Sequence, residues 1–374
     1  MRALVWVQHL LGTGHTVRAA GIAHALRATG YKVTLALGAP APSTLSLEGL
    51  DTLALPPVAA TDGSFRTIIA PDGTDYDALA ATRADLLVRF VAEKRPEIVL
   101  TETFPFGRRR FAAEILPMVE AARARGATVA ASIRDVLVRK PAAKEAEMAR
   151  IAREFYDAVL IHADPALVRL EDSFAAADSL GDLIRYTGFV DGGATAAHSA
   201  GQRSGVVVSA GGSGVGAALV GAAVAAAALG DAGLPWHILV PHALGDRLAG
   251  WRAAAGPNVT LELNRPDFRA LLAAAEVSVS QAGYNTVLDV LGAGPRMIFV
   301  PFAAHEETEQ TDRAAALAAR GLASVIAEDV LTPEALADAV AAALSRPLPA
   351  PPPIDRDGAT RSAAILCAMR ERVP

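Results

Sequence analysis

The sequence SQAGYNTVLDVLGAGPRMIFVPF runs from Ser280 to Phe302. An apolar strand, Val277 to Ser280, leads into a turn at Gly283 and then into a helix that begins near Asn285. This order aims backbone N–H groups and the positive end of the helix at one place, where a phosphate would bind well. Asp289 adds a carboxylate on the helix, and a second apolar strand returns the chain to the same edge. The pattern predicts a strand–helix–strand unit with an anion site at its turn.

The same alternation of short β-branched runs and helical stretches extends along all 374 residues. The predicted strands are Ala3–Val7, Lys32–Leu37, Ile98–Leu100, Thr128–Ser132 and Ala158–His162, then Val206–Ser209, Trp236–Val240, Val259–Glu262, Val277–Ser280, Met297–Val300 and Ser324–Ile326. Strands that alternate with helices indicate parallel sheets with right-handed crossovers. A Gly-, Ala- and Ser-rich linker, Asp191 to Ser204, separates the two series.

We therefore predict an α/β protein with two Rossmann-like domains that face each other across a cleft. Residues 1–190 form the N-terminal Rossmann-like domain, and residues 205–346 form the C-terminal one. A Pro-rich connector and a last helix follow in residues 347–374, and we expect this helix to pack back on the first domain.

Composition excludes several classes of protein. The formal net charge of −5 argues against a nucleic-acid binder, and the single cysteine, Cys367, excludes an internal disulfide or a cysteine-based zinc site. Met1 begins almost directly on a strand, without the apolar region of a secretory signal, so we expect a cytoplasmic protein. The most apolar stretch, Val215 to Leu229, is too short to span a membrane. Peripheral contact with the inner face of the membrane stays open.

The first strand ends in a tight turn formed by Gly12, Thr13 and Gly14, with His15 at the start of the next helix. The positive helix end disfavours an imidazolium, so His15 should be neutral and able to take a proton from a hydroxyl. This makes His15 a candidate general base. The alternative is that it only caps the helix or fills the turn.

A second glycine turn, Gly211, Gly212 and Ser213, opens the second domain in the same way. Its backbone allows close approach to a diphosphate, and the Ser213 hydroxyl adds a donor. The spacing is neither the dinucleotide motif GxGxxG nor a Walker loop, so nicotinamide chemistry and ordinary ATP hydrolysis are disfavoured.

These three turns, with VPF and the His305 and Glu309-Gln310 residues that follow it, resemble the two-domain GT-B glycosyltransferases, in particular the family 28 branch that includes MurG. The resemblance spans nearly the whole chain. The segments TETFPFGRRR from Thr101, SIRDVL from Ser132 and FYDAVLIHADPAL from Phe155 further resemble a group of bacterial MurG-like glycosyltransferases.

The resemblance implies that the first domain binds the acceptor and that the second binds the nucleotide-sugar donor. It also implies a role for each matching residue. His15 would lie near the acceptor hydroxyl, Asp289 would bond the ribose in place of the family's usual Glu, and Glu309 with Gln310 would hold hydroxyls of the donor sugar. The remaining donor-binding residues it implies are Gly211, Gly212, Ser213, Gly283, Tyr284, Asn285, Thr286 and His305. The acceptor-side residues it implies are Gly12, Thr13, Gly14, Glu102, Arg108, Arg134 and Asp135.

Several strand-end and turn residues of the first domain have a second interpretation. The arginines at 108 to 110 could hold an acceptor phosphate or carboxylate, or they could form a solvated helix start or a set of salt bridges. Arg134 and Asp135 could order an acceptor loop or form a local ion pair. His162 and Asp164 stand at the end of another strand, where they could line the cleft between the domains, although Asp164-Pro165 is also an ordinary turn opener.

The mechanism expected from this resemblance is an inverting transfer from a nucleotide-diphosphate sugar, with a UDP-sugar favoured, to a hydroxyl acceptor such as a lipid-linked or cell-envelope saccharide. Helix N-termini would stabilise the leaving diphosphate, so no metal and no further cofactor are expected. Two alternatives remain: a nucleotide-sugar hydrolase or epimerase on the same fold, and a non-catalytic nucleotide-binding protein.

Overall fold

The computed structural model describes residues 1–10, 13–42, 45–61, 67–191, 203–212, 214–303, 308–350 and 354–372. Within them, strands β1 to β15 span Arg2–Val7, Lys32–Leu37, Asp51–Ala54, Ala59–Ala60, Ile68–Ile69, Ile98–Glu102, Thr128–Arg134, Ala158–His162, Ile184–Tyr186, Val206–Ser209, Trp236–Val240, Val259–Leu263, Val277–Ser280, Arg296–Phe299 and Ala323–Val325. Helices α1 to α11 span Gly14–Ala28, Tyr76–Lys94, Ala112–Arg123, Ala142–Phe155, Ala217–Ala226, Leu248–Ala254, Phe268–Ala274, Tyr284–Ala293, Glu309–Ala319, Pro333–Leu344 and Gly358–Glu371.

The chain divides into two compact units, Met1–Gly192 with Ile354–Pro374, and Gly193–Pro353. The first unit is built on a parallel sheet with the strand order β3-β2-β1-β6-β7-β8-β9. Its central strands are apolar on both faces because helices cover both sides, and residues such as Leu4, Val5, Val99 and Leu100 are fully buried.

The second unit repeats this plan with a parallel sheet in the order β12-β11-β10-β13-β14-β15. In both sheets the chain starts at a central strand, builds outward to one edge, and then crosses back to build the other half. The order therefore reverses between β1 and β6 in the first unit and between β10 and β13 in the second. Ligands of such sheets bind at the carboxyl ends of the strands, beside the point of reversal.

The last helix belongs to the first unit. Helix α11 packs on α1, where Ala363 and Leu366 join the apolar core beside Ile22 and Leu26. The chain just before α11 pairs with the segment after β9, since Phe189 N donates to Asp355 O (2.8 Å) and Gly358 N donates to Phe189 O (3.0 Å). The predicted return of the C-terminal helix to the first domain is confirmed.

A fully buried ion pair ties α2 and α3 to the first strand. Arg83 Nε donates to Glu114 Oε2 at 2.5 Å, and neither side chain is exposed. Trp6 Nε1 donates to Glu114 Oε1 (2.9 Å), and Arg83 Nη2 donates to Gln8 Oε1 (2.9 Å). The Gln8 amide donates in turn to Val58 O (3.0 Å). This network fixes the end of β1, from which the first glycine turn departs.

The predicted α/β class with two Rossmann-like units is confirmed by these two sheets. The short strands β3 and β9 and the hairpin β4–β5 were not among the predicted strands. They are two to four residues long, and β3 is largely exposed, so neither periodicity nor an apolar run marks them. In the part of the chain that the structure describes, no helix has the length and apolar character needed to cross a membrane.

Candidate active site

Helix α1 follows β1 and starts at the point where the strand order of the first unit reverses. Thr13 is exposed and precedes Gly14, the first residue of the helix, and His15 lies in its first turn. Gly12 lies outside the described residues. The strand on the other side of the reversal, β6, ends at Glu102. His15 and Glu102 are therefore neighbours because of the topology, although the sequence separates them widely.

The side chains of His15 and Glu102 meet directly. His15 Nδ1 lies 3.0 Å from Glu102 Oε1, and their side chains are 13% and 1% exposed. Arg18, one helical turn after His15, donates to the same carboxylate oxygen and is also buried. Thr103 Oγ1 lies 3.2 Å from Glu102 Oε1. This places a carboxylate, a guanidinium and an imidazole in one buried cluster beside an open helix end.

Both the carboxyl and the imidazole have shifted pKa values. Burial favours the neutral acid, but the charge of Arg18 and hydrogen bonds from His15 and Ser132 outweigh it and hold the pKa of Glu102 well below its usual value. Burial lowers the pKa of His15 to about 3, helped by the charge of Arg108 and opposed by the hydrogen bond to Glu102. At neutral pH the cluster therefore consists of a carboxylate and a neutral imidazole.

These charge states decide where the His15 proton lies. A carboxylate only accepts hydrogen bonds, so a hydrogen bond between His15 and Glu102 requires the hydrogen on Nδ1 of His15. Arg18 Nη2 and Thr103 Oγ1 also lie 3.1 Å from Nδ1. Because Arg18 already donates to Glu102, we assign the hydrogen of His15 to Nδ1. Nε2 then keeps its lone pair. This is the arrangement in which a buried carboxylate holds a histidine as a base, with Nε2 ready to take a proton.

The predicted acceptor-side arginines separate in the structure. Arg108 has a left-handed backbone (φ 55°) that turns its side chain back, so its Nε donates to Gln8 O at 2.8 Å. Arg110 is exposed and pairs with Asp77 (2.9 Å) and Asp75 (3.3 Å) near the start of α2. Arg110 thus forms surface salt bridges. Arg108 contacts the backbone just after β1, and its positive charge lowers the pKa of His15.

Arg134 ends β7 and is half-buried, and Asp135 follows it fully buried. The positive charge of Arg134 also lowers the pKa of His15. Both residues therefore lie at the carboxyl end of the sheet, as the sequence predicted, and Arg134 is electrostatically coupled to the candidate base.

Sequence reasoning missed two polar residues that extend the cluster, Ser132 and Thr187, and it gave no contact for His162. Ser132 Oγ donates to Glu102 Oε2 at 2.6 Å and lies 2.8 Å from His162 Nε2, and His162 Nδ1 lies 2.8 Å from Thr187 Oγ1. All three side chains are buried. The only sequence signal was that Ser132 and His162 both stand at the end of a predicted strand.

In the second unit the first glycine turn follows β10. Gly211 has φ +71° and its carbonyl accepts a hydrogen bond from Asn264 Nδ2 (2.7 Å). Gly212 is exposed, with nothing within 4 Å of where its Cβ would be. An open backbone of this kind suits the close approach of a diphosphate. Ser213 lies outside the described residues.

The second turn of this unit leads from β13 into α8. Gly283 precedes the helix, Asn285 is exposed and Thr286 is half-exposed at the helix start. Tyr284 is buried, and the Arg313 guanidinium lies 5.9 Å from its ring centroid. Tyr284 therefore packs in the interior beneath the turn. The backbone N–H groups of the first helical turn and the exposed side chains beside them can contact a ligand.

Asp289, the predicted ribose ligand, accepts a hydrogen bond from Arg269 Nε to its Oδ1 at 2.6 Å. Arg269 lies on α7, and both side chains are partly buried, at 24% and 19% exposed. Any ribose bound by Asp289 would have this guanidinium beside it. Nothing in the sequence pattern indicated the pair, because α7 and α8 are brought together only by packing.

Glu309 and Gln310 open helix α9. Glu309 is 5% exposed, and the Gln310 side-chain oxygen accepts from Ala282 N (3.0 Å) and Phe302 N (3.1 Å). Gln310 thus braces the loops after β13 and β14, which leaves its amide N–H groups as the part that can meet a sugar hydroxyl. His305 lies outside the described residues.

Among the described residues, no group of three or more His, Cys, Asp and Glu side chains is arranged to hold a metal ion.

Comparison with known proteins fits this geometry. Residues 258–361 match the model of the glycosyltransferase family 28 C-terminal domain. The chain is similar in fold to MurG of Acinetobacter baumannii, with a TM-score of 0.62 and 17% identity over 100% of this chain and 99% of that one. It is also similar to the spinosyn forosaminyltransferase SpnP, with a TM-score of 0.63 and 18% identity over 100% and 96% of the two chains.

A third similar structure is the glycosyltransferase VinC in complex with dTDP, with a TM-score of 0.57 and 16% identity over 100% of this chain and 96% of that one. These structures show the fold, and the family 28 match, which covers residues 258–361, supports a glycosyltransferase. The predicted MurG-like glycosyltransferase with the GT-B fold is thus confirmed.

Proposed function

We propose that this glycosyltransferase is an inverting, metal-independent enzyme that moves a sugar from a nucleoside diphosphate, with UDP favoured, to a hydroxyl of the acceptor. The observation that carries the proposal is the hydrogen-bonded pair of His15 and Glu102 at the point of strand reversal. It supplies a neutral base whose Nε2 is an acceptor.

In the proposed reaction Nε2 of His15 takes the proton of the acceptor hydroxyl. The oxygen attacks the anomeric carbon of the donor from the face opposite the diphosphate, and the bond from that carbon to the diphosphate oxygen breaks. The bonding electrons leave with the nucleoside diphosphate, so the configuration at the carbon inverts. The Glu102 carboxylate stabilises the imidazolium that forms.

The second unit would bind the donor. The leaving diphosphate gains negative charge as the bond breaks, and the backbone N–H groups at the Gly211-Gly212 turn and at the start of α8 are suited to stabilise it. Asp289 would bond the ribose. VinC, a similar structure, was solved with dTDP, which supports a nucleoside diphosphate as the ligand class. Since N–H donors can carry this charge, we expect activity to survive a chelator.

We favour a lipid-linked or cell-envelope saccharide as the acceptor, and therefore a cytoplasmic enzyme at the inner face of the membrane. Arg108 and Arg134 place positive charge near His15, which suits an acceptor that carries a phosphate or a carboxylate.

The donor site is tested by thermal unfolding with UDP, GDP, dTDP, ADP and their sugars. A nucleotide at a hundred times its Kd should stabilise the native state by about 2.7 kcal/mol. We expect one nucleotide to raise the Tm, Asp289→Ala to lose most of that shift, and His15→Ala to keep it. No response to any nucleotide would contradict the proposal.

The base is tested by the rate of sugar transfer with the donor so identified. His15→Ala should lower the rate about 10²- to 10⁴-fold, the usual contribution of general base catalysis. The matched control is His24→Ala on the same helix, whose Nε2 contacts Ser46 O (3.0 Å) and which we expect to leave the rate unchanged. Donor consumption without transfer to any acceptor would indicate the hydrolase instead.

A further inference from the structure

His162 is a fully buried histidine for which the proposed reaction has no use. It ends β8 with no exposed surface. Its Nε2 lies 2.8 Å from Ser132 Oγ and its Nδ1 lies 2.8 Å from Thr187 Oγ1. A buried imidazole with a polar partner at each nitrogen is held in one orientation, so it can direct the hydrogen bonds of its neighbours.

Strand register explains why His162 reaches the site. In the parallel sheet Glu102 pairs with Ser132, and Ser132 pairs with Leu160. Side chains two residues apart on a strand share a face, so His162 lies on the same face as Leu160, Ser132 and Glu102. The three polar side chains therefore stand side by side at the ends of β6, β7 and β8.

Counting hydrogens assigns a direction to each of these bonds. Ser132 has one hydroxyl hydrogen and lies 2.6 Å from Oε2 of Glu102. Because the carboxylate is ionised and can only accept, that hydrogen must go to Glu102. The Ser132 oxygen can then only accept from His162, so Nε2 of His162 carries a hydrogen.

The other ring nitrogen follows from the charge of the imidazole. Burial and the charge of Arg18 lower the pKa of His162 to about 3, against the opposite influence of Glu102. A neutral ring with its hydrogen on Nε2 has an unprotonated Nδ1, which accepts the single hydrogen of the Thr187 hydroxyl at 2.8 Å. The same hydroxyl lies 2.8 Å from Gly188 O and 3.3 Å from Ile161 O, so this assignment requires its hydrogen to point at His162 and not at either carbonyl. Thr187, His162 and Ser132 thus form a chain of donors that ends on Glu102.

We propose that His162 is a positioning residue for the base: its Nε2–H directs the Ser132 hydroxyl onto Glu102, and Glu102 so fixed holds His15 with its hydrogen on Nδ1 and its lone pair on Nε2. The proposal rests on the proposed function for its catalytic meaning. It assigns His162 no contact with substrate. Its prediction for the hydrogen positions stands independently of any reaction.

The decisive measurement is nitrogen NMR of the full-length protein with isotope-labelled histidine, which reports which ring nitrogen carries the hydrogen. The chain has eight histidines, and single variants assign His15 and His162. We expect His162 to be neutral with its hydrogen on Nε2, and His15 to be neutral with its hydrogen on Nδ1, at about neutral pH. A hydrogen on Nδ1 of His162, or a charged ring there, would overturn the proposal.

The positioning role is tested by three variants. His162→Phe keeps a ring but removes the donor, His162→Gln keeps an amide donor near the position of Nε2, and Ser132→Ala removes the hydroxyl with little loss of volume. The control is Tyr156→Phe, which removes another buried hydrogen bond, that to Thr101 Oγ1 at 2.9 Å, outside this chain of donors.

We expect Ser132→Ala and His162→Phe to shift His15 toward a mixture of the two tautomers. The first removes a donor to Glu102 and the second leaves the Ser132 hydroxyl free to turn away from it, so in both variants Glu102 holds a shared proton more readily. His162→Gln and Tyr156→Phe should leave the His15 signals unchanged. Unchanged His15 signals in both His162→Phe and Ser132→Ala would show that the chain of donors is only structural. If His162→Phe does not fold, the His15 signals of Ser132→Ala and the tautomers of the wild-type protein still test the proposal.

With the donor identified by thermal unfolding, His162→Phe should transfer sugar about tenfold more slowly at an unchanged KM for the donor, the effect of one hydrogen bond. His162→Gln should recover most of the rate. If the tautomers are as expected but no nucleotide sugar is turned over, the proposed function fails and the hydrogen-bond assignment stands. If the tautomers differ, the assignment fails whatever the activity.

Discussion

Glu102 is the residue on which both charge and orientation in the first unit depend. It receives hydrogen bonds from His15, Arg18 and Ser132, and its side chain is 1% exposed. A buried carboxylate with these partners holds the histidine hydrogen on Nδ1 and balances the Arg18 charge. Each of these effects disappears when the carboxylate becomes an amide.

We predict that Glu102→Gln lowers the transfer rate by two to four orders of magnitude, about the range of general base catalysis, since an amide N–H facing Nδ1 favours the wrong tautomer. It should also destabilise the protein by about 3–5 kcal/mol, because Arg18 loses its buried partner. Urea unfolding and the transfer rate measure the two effects. Glu171→Gln, which breaks an exposed pair with Arg169, is the control and should change neither.

The neutral histidines give a second prediction, the dependence of stability on pH. His15 and His162 have pKa values of about 3 when folded, against 6.5 for a free histidine. As the pH falls below 6.5 the unfolded chain takes up these protons and the folded one does not, so stability is lost on acidification. Between pH 7 and pH 5 the loss should be about 2 kcal/mol for each histidine, or about 4 kcal/mol together.

Urea unfolding at the two pH values measures this loss. The folded pKa of about 3 lies well below pH 5 for both histidines. The predicted loss of stability therefore requires only that both rings stay neutral in the folded protein down to pH 5. His162→Gln should remove about half of the dependence. A wild-type protein that is equally stable at both pH values would show that these rings are charged when folded.

The sequence marks His15 as a candidate but does not show its partners, for a physical reason. A glycine turn between a strand and a helix is a local pattern, so it marks His15 without any knowledge of the fold. The resemblance placed Glu102 on the acceptor side but gave no contact. Ser132 and His162 act through strand register, and register depends on side chains from distant parts of the chain.

At the scale of elements, α2 and α3 are joined by the buried Arg83–Glu114 pair. Arg83 stands in a stretch of α2 that reads as an ordinary amphipathic helix, and 30 residues separate it from Glu114. Sequence reasoning had no signal for the pair. A fully buried ion pair is costly to desolvate, and removing only one partner leaves an uncompensated charge.

We predict that Arg83→Met destabilises the protein by about 3–5 kcal/mol, because Glu114 is left buried and charged. The double variant Arg83→Met with Glu114→Gln should recover much of this loss, since the amide is neutral and its oxygen still accepts from Trp6. Urea unfolding measures both, followed by fluorescence in a chain whose other two tryptophans, Trp236 and Trp251, are replaced by Phe so that Trp6 alone reports. If the double variant were no more stable than Arg83→Met, the buried charge would not be the cause.

At the scale of the whole molecule, the two sheets follow one plan, and both candidate sites stand where the strand order reverses. The sequence predicted this plan because helices and strands alternate regularly along the chain and the central strands are continuous apolar runs. It did not predict the strands that close the first sheet, β3 and β9, because they are short and gain their order from neighbours. Contacts such as Arg269 with Asp289 depend on helix packing, which no local pattern encodes.

The return of the C-terminal segment to the first unit makes the last prediction. A Cβ on Gly358 would lie 2.3 Å from Gly188 O and 2.7 Å from the Phe189 carbonyl carbon, both backbone atoms that cannot move aside easily. Gly358→Ala must therefore shift α11 away from the first unit, at a cost of about 1–3 kcal/mol. Gly250→Ala is the matched control, because nothing lies within 4 Å of its Cβ and alanine favours a helix.

The chain has three tryptophans, and Trp6 is the one in the first unit. With Trp236 and Trp251 replaced by Phe, its fluorescence in urea reports the unfolding of that unit alone. Gly358→Ala should lower the midpoint, while Gly250→Ala, which lies in the other unit, should leave it in place. Equal midpoints for the two variants would mean that α11 contributes nothing to the first unit. A lower midpoint for Gly358→Ala alone would show that the last helix, distant in sequence, stabilises the fold that carries His15.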